Sequence, residues 1–273
     1  FKMKYEGMPY EVEYELRKAL LKRGDYSVWG DKHKKLVSVL KDYIKATYGI
    51  NVTFEKLGSL RRVYMRDKYI KRFHLLKDHI HDIFKEYNQN VDILIISQKY
   101  DFPPLALMRS ILLKSGYSKD QIKKITKDPT LLGESRNYEQ FMKAIDNDYI
   151  GDFDQDKITE GANNFEKDIE MFFDKKHIPY RTQAELAKDQ IKLVERAVVT
   201  PDLYFPQGVM INGKKLYWID AKNYYGGNAS YVYTSVHKQA EKYNKMYGQG
   251  AFIFKHGFSE ALSKRIDALF IEW

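Results

Sequence analysis

The chain is predicted to be a two-part α+β protein: an all-helical first half, then a small mixed α/β domain. Three observations predict it. Apolar residues recur at spacings of three and four through the first half, the signature of helices with one buried face. Beyond residues 146–161 short strand-like runs alternate with helical ones, and an Asn212-Gly213 pair between two of those runs is a strong hairpin signal. Charge divides at the same place: of 46 Lys and Arg and 37 Asp and Glu, residues 1–150 hold 29 and 20, and residues 151–273 hold 17 of each. The net charge of +9 therefore belongs wholly to the first half. That suits a module gripping a polyanion beside one that does something else, although a basic helical surface without a partner has the same arithmetic.

Composition removes several function classes. The 273 residues are enough for a buried core without staples. With no cysteine, disulfide scaffolds, thiolate zinc sites and cysteine nucleophiles are excluded together. No apolar run approaches the roughly 18–20 residues of a membrane span. The opening Phe1-Lys2-Met3-Lys4 has no signal-peptide core, and its lack of an initiating methionine points to residues upstream. A soluble, intracellular protein with no membrane partner is expected. No P-loop, GxSxG elbow or HExxH occurs, which argues against NTPase, serine hydrolase and zinc protease chemistry.

Element by element, helices are predicted from Tyr10 to Arg23 and from Lys34 to Tyr48, the second on the stripe Leu36, Val37, Leu40, Tyr43 and Ile44. A third, from Leu60 to Lys77, interleaves Arg61, Arg62, Arg66, Lys68, Lys71, Arg72 and Lys77 with Tyr64, Tyr69 and Phe73, so it can lie along phosphates. Val91 to Ser97, a turn at Tyr100 to Pro103, and a helix opening at Pro104 outline a helix-turn-helix. Its second helix would bring Arg109 and Lys114 to a nucleic-acid backbone. The nucleic-acid set is thus Arg61, Arg62, Arg66, Lys71, Arg72, Arg109 and Lys114. Asp146, Asp148, Gly151, Asp152, Asp154, Asp156 and Gly161 read as a linker between domains 1–150 and 151–273.

In the second domain Phe165, Ile169, Phe172 and Phe173 mark a helix, Thr200 to Phe205 and Lys215 to Lys222 are strands, and Ser235 to Tyr247 is a helix closed by Gly248. Ala251 to Lys255 is a strand, and Ser259 to Phe270 a final helix capped by Ser259. With Asn212-Gly213 as a two-residue turn, Ile211 faces Lys214 and Asp202 falls opposite Asn223, or opposite Lys222 if one residue bulges near Pro206 to Gly208. Leu216, Trp218, Asp220 and Lys222 share one face of their strand by its period of two. Two carboxylates and an ammonium therefore converge. Burying them is costly unless something compensates, and a divalent cation between Asp202 and Asp220 would do so; a plain strand-end salt bridge is the alternative.

The run Thr200-Pro201-Asp202, the strand ending Trp218-Ile219-Asp220-Ala221-Lys222, Glu166 on the preceding helix and Gln239 and Tyr243 on the following one together resemble the PD-(D/E)XK nuclease superfamily. With Gly248 to Phe258 near the end, the pattern is similar to its TPD-motif branch, which includes the codanin-interacting nucleases and archaeal relatives. The resemblance covers about 161–258 and implies a restriction-endonuclease-like domain with a small mixed sheet flanked by helices, preceded by helix-turn-helix elements. It implies that Asp202 and Asp220 bind Mg2+ or Mn2+, that Lys222 is the catalytic lysine, that Glu166 contributes to the metal shell, and that Gln239 and Tyr243 lie near the site. Glu170 competes with Glu166 for its role.

The expected activity is metal-dependent hydrolysis of phosphodiester bonds, with DNA favoured over RNA as partner. A non-catalytic nucleic-acid-binding or partner-docking protein and a ribonuclease are the alternatives. His74, His79 and His81 are badly spaced for a shared metal; His237, near Gln239, and His256, at a strand end, are read as surface or capping histidines, with approach to the scissile phosphate the alternative. Tyr224 to Asn228 reads as a loop that either covers the site and stacks bases or simply connects. Lys188, Lys192 and Arg196 are further candidates to touch a substrate backbone.

Overall fold

The computed structural model describes residues 1–151, 155–194 and 199–273, without the side chains of residues 155, 156, 193 and 194. Asp152, Asp154 and Arg196 lie outside the described residues, as does the side chain of Asp156. Seven helices come first: α1 (Tyr10–Leu20), α2 (Lys34–Tyr48), α3 (Phe54–Asn88), α4 (Ile93–Tyr100), α5 (Pro104–Lys114), α6 (Lys119–Lys127) and α7 (Arg136–Asp146). Then follow α8 (Gln155–Lys175), β1 (Arg181–Thr182), α9 (Gln183–Val194), β2 (Leu203–Ile211), β3 (Lys214–Lys222), α10 (Ser230–Tyr247), β4 (Gly250–Phe254), α11 (Glu260–Ser263) and β5 (Leu269–Glu272). No described helix is long and apolar enough to cross a membrane.

The chain forms two compact units, one of residues 1–16, 43–63 and 156–273, the other of residues 17–42 and 64–155. Residues 1–16 and 43–63, which charge arithmetic groups with the basic half, pack in the unit that carries the sheet. The end of the stretch read as a linker is helical, with Gly161 inside α8.

In the sheet unit the five strands stand in the order β1-β2-β3-β4-β5. The first three are antiparallel, and β3, β4 and β5 run parallel. The hairpin forms where Asn212-Gly213 places it: both residues have positive φ (52° and 76°), and Ile211 pairs with Lys214. Farther along, the register changes more than a single bulge allows. Tyr204 pairs with Trp218, where the turn register would have set it against Ala221, and Leu203 pairs with Ile219. Asp202 is thereby brought level with Asp220 and not with Lys222 or Asn223.

Phe165, Ile169 and Phe173 of α8 pack on Leu203, Phe205, Ile219 and Ile253 to form the core on one face of this sheet. On β3 Trp218 is fully buried, its indole N–H donating to Gly248 O at 2.8 Å. A Cβ on Gly250 would lie 2.0 Å from the Trp218 ring, which has nowhere to move. Gly250→Ala is therefore expected to destabilise the protein by about 3 kcal/mol, read as a lower urea midpoint at unchanged slope.

The predicted final helix does not form. Only Glu260–Ser263 is helical, Ser259 makes no side-chain cap bond, and Leu269–Glu272 is a strand paired with β4. Leu262, Ile266 and Leu269 mimic helical spacing, but Leu269-Phe270-Ile271 gains more as an apolar strand beside β4. The N-terminal segment covers the outer edge of β5 through an antiparallel bridge between Lys4 and Glu272, which removes an exposed sheet edge.

In the helical unit α5 is a core helix: Pro104, Leu105, Leu107, Met108, Ile111 and Leu112 are all buried. Those six fall within about half of the helix's circumference, and the other half carries Leu113 and Lys114, exposed, and Ala106, Arg109 and Ser110, half-buried. Asp101, left-handed at φ 59°, ends α4, and its carboxylate accepts from Gly24 N at 2.7 Å and Lys68 Nζ at 2.6 Å.

Candidate active site

Asp220 and Lys222 stand two residues apart on β3 and so point to the same face, as the strand period requires. Both are buried, at 4% and 9% exposed, and the Lys222 ammonium donates to Asp220 Oδ1. The other oxygen, Oδ2, accepts from the Tyr243 hydroxyl at 2.9 Å. Asp202 is half-buried, and its Oδ2 accepts from the Ala221 N–H at 2.7 Å. One backbone amide, between the two β3 charges, thus ties the second carboxylate to the strand.

The segment carrying Asp202 is held from two helices. Gln190 on α9 makes reciprocal bonds with Val199, donating to its carbonyl at 2.6 Å and accepting from its N–H at 3.0 Å. Tyr247 on α10 donates to the same carbonyl at 2.6 Å, and the Gln183 N–H donates to Asp202 O at 3.0 Å. None of these anchors is legible in the sequence, because α9 itself was not predicted and Gln190 has meaning only once the fold brings it to Val199.

The electrostatics follow from this crowding. Burial, then the Asp220 carboxylate, push the Asp202 carboxyl up to about 8, against the opposing pull of the Ala221 N–H and Lys222. Burial alone would lower the Lys222 ammonium, but Asp220, Tyr224 and Asp202 together outweigh it and the net shift is upward. Burial, Asp220 and Glu170 raise Glu166, which is thereby felt by the cluster. Among the described residues, however, no three His, Asp or Glu side chains are grouped closely enough to hold a metal ion. The donor set in this arrangement is the Asp202 and Asp220 pair, with Glu166 outside it.

Gln239 lies one turn before Tyr243 on α10. Its Oε1 is buried with no hydrogen-bond partner, an arrangement that costs about 1–3 kcal/mol unless a bound group or water fills it. His237 stacks on Tyr233 at 5.2 Å, while His256 is half-buried, its pKa lowered by burial and Lys255. The loop after β3 is pinned at Tyr225: its N–H donates to Ser59 Oγ at 2.7 Å and its hydroxyl to Glu13 Oε2 at 3.0 Å. Fully buried, Tyr225 has no face left for stacking a base.

The predicted phosphate contacts are scattered. Arg61, at 1% exposed, is packed inside the sheet unit and cannot meet a phosphate from there. Arg62 in that unit is half-buried. In the helical unit Lys71 pairs with Asp67 at 2.5 Å, and Arg72 lies 3.7 Å from Asp101 with its guanidinium over Phe102. Arg66 and Lys114 are exposed, and Arg109 donates to Thr126 Oγ1 at 3.4 Å. Of these α3 cations only Arg61 is enclosed; Lys71 and Arg72 meet an acid or a ring yet keep side chains 58% and 36% exposed.

Comparison with known proteins adds to this geometry. The family described as a protein of unknown function with a TPD sequence motif matches residues 134–272, half of the chain. The chain belongs to the TPD family. Thr200-Pro201-Asp202 is the tripeptide of that motif, so the TPD aspartate is the one bonded to Ala221. An uncharacterized protein of Acanthamoeba polyphaga mimivirus is 27% identical over 147 residues, 52% of this chain and 50% of the viral one. Proteins named CDAN1-interacting nuclease 1 from Xenopus laevis and Xenopus tropicalis are each 25% identical over 213 residues, 71% of this TPD chain and 68% of theirs. This chain thus spans half the length of its viral relative. No solved structure matches.

Proposed function

We propose that this TPD protein is a metal-dependent phosphodiesterase of the PD-(D/E)XK type, cutting nucleic acid and DNA in preference to RNA. One observation carries the reading: Asp202 and Asp220 are set side by side, at a cost visible in the raised Asp202 carboxyl, with a buried Lys222 against them. The name of the frog relatives supports the class of chemistry. The donors fit a hard cation such as Mg2+ or Mn2+: they are oxygens only, their mutual repulsion is what a divalent charge relieves, and no described group hydrogen-bonds Asp202 Oδ1. Such an ion supplies polarisation of a phosphoryl oxygen and a more acidic water.

The chain's own residues do the rest. Tyr243 and Lys222 fix the plane of Asp220 from its two sides. Lys222, kept cationic by Asp220, holds a weakly screened positive charge where negative charge grows on the phosphoryl oxygens as water attacks phosphorus and the leaving oxygen departs. Glu166 adds a further negative group to the field, and Gln239 Oε1 offers an unused acceptor to a water or substrate group.

A binding module without turnover draws on one fact of the same site, that protein donors engage both Asp220 oxygens. Cleavage of labelled single-stranded, duplex and branched DNA and matched RNA, with and without magnesium or manganese, separates the two. Metal-dependent cutting that falls about 10²–10³-fold in Lys222→Ala is the expected result. Binding without cutting on every substrate would leave only the module. Manganese at a hundred times its Kd should also stabilise the wild type by about 2.7 kcal/mol.

A further inference from the structure

Within the helical unit some described cations have an internal partner, while others, Lys22, Lys32, Lys35 and Lys41 among them, are exposed and in no described ion pair. Lys68, Lys71, Arg72, Lys99, Arg136 and Lys143 are engaged internally, by Asp101, Asp67, Glu86, the Tyr87 ring or Asp92. The α5–α6 corner gathers four such lysines on one short helix. α5 ends at Lys114, Gly116 at φ 101° turns the chain, and Ser118 opens α6 by accepting from Gln121 N while its own N–H donates to Gln121 Oε1. A core helix, a four-residue turn with a left-handed glycine and a second helix make a helix-turn-helix, one helix later than the sequence outline placed it.

On α6 Ile122 and Ile125 are buried. At 3.6 residues per turn Lys119, Lys123, Lys124 and Lys127 fall on the opposite side, all exposed and in no described ion pair, with Asp120 the one acid among them. From Lys119 to Lys127 the helix rises about 12 Å. That length passes about three phosphates of one strand of a duplex. Arg109 on α5 reaches across to Thr126 and holds the two helices together.

We propose that the lysine face of α6 is a phosphate-tracking surface for a nucleic-acid backbone, the substrate-gripping element of this protein in place of the basic face of α3. The proposal rests on the nuclease reading for the identity of its polyanion. Charge complementarity selects the occupant: lysines with no internal acid leave a local positive field that a polyphosphate neutralises, releasing counterions. DNA, the polymer favoured above, is the expected occupant; an RNA duplex presents the same phosphodiesters on a different groove geometry and is the second arm of the test.

The test is equilibrium binding of labelled DNA and RNA duplexes of one sequence across a potassium chloride series, with divalent cations chelated so that no cutting intervenes. The variant carries Lys119→Gln, Lys123→Gln, Lys124→Gln and Lys127→Gln, its fold checked by circular dichroism. A control variant carries Lys22→Gln, Lys32→Gln, Lys35→Gln and Lys41→Gln, which remove the same charge elsewhere. The α6 variant should flatten the plot of log affinity against log salt by about one unit per lysine in contact, while the control changes it less and arginine at all four α6 positions restores it. An unchanged slope, an equal effect in the control, or a wild type that binds neither duplex overturns the proposal. A wild type that binds through α6 yet never cuts with metal overturns the nuclease reading alone.

Discussion

Asp220→Asn is expected to lower metal-dependent cleavage by at least about 10³-fold and to destabilise the metal-free fold by about 3 kcal/mol. The activity loss follows from removing one of two carboxylates at the site. The stability loss has a separate cause. Lys222 is 9% exposed, and its ammonium sits against Asp220. A neutral amide leaves that cation buried without a counter-charge, and the Tyr243 hydroxyl loses a charged acceptor. Urea unfolding and initial cleavage rates measure the two effects on the same preparation; wild-type stability in Asp220→Asn would remove the buried ion pair from the account.

Asp202→Asn should lower activity as much and move stability the other way. Its carboxylate is raised by burial and by Asp220, so in the metal-free protein it is a charge the fold would rather lose. Asparagine keeps an oxygen for the Ala221 N–H and is neutral without taking up a proton on folding, a gain of about 2 kcal/mol at neutral pH. The pH dependence has a definite sign. The folded state holds the Asp202 proton more tightly than the unfolded state, so stability falls as pH rises from the ordinary 3.8 through about 8. With metal chelated, Asp202→Asn should flatten that fall across the window. Destabilisation in both asparagine variants would contradict the like-charge pair, and with it the reason for a cation there.

These opposite signs depend on tertiary contacts, yet half of the cluster is legible in the chain. Alternation along β3 puts Asp220 and Lys222 on one face whatever else the protein does, because successive side chains of a strand point to opposite sides. Asn212-Gly213 likewise needs no partner beyond its own strands, since positive φ at both positions is a local preference. The helices α2 and α3 announce themselves through an apolar stripe of the right period. The helix α3 extends past Lys77 to Asn88, and that extension carries the same signal, Leu76, Ile80, Ile83 and Tyr87 at spacings of three and four.

Non-local terms decided the rest. Where β2 slips against β3 between Tyr204 and Val209 depends on which apolar residues the core under α8 accepts, and that slip sets Asp202 level with Asp220. Leu269 to Glu272 is a strand because β4 offers it a parallel partner, a gain that no local window contains. Arg61 and Lys114 look alike as basic helical residues, but packing buries one and leaves the other in water. Residue types and short periods thus determined which groups this protein has for its chemistry, and the long-range pairing of strands and helices determined which of them meet. Local preferences act on neighbours in the chain, whereas the burial and repulsion that define the site arise only between segments the fold brings together.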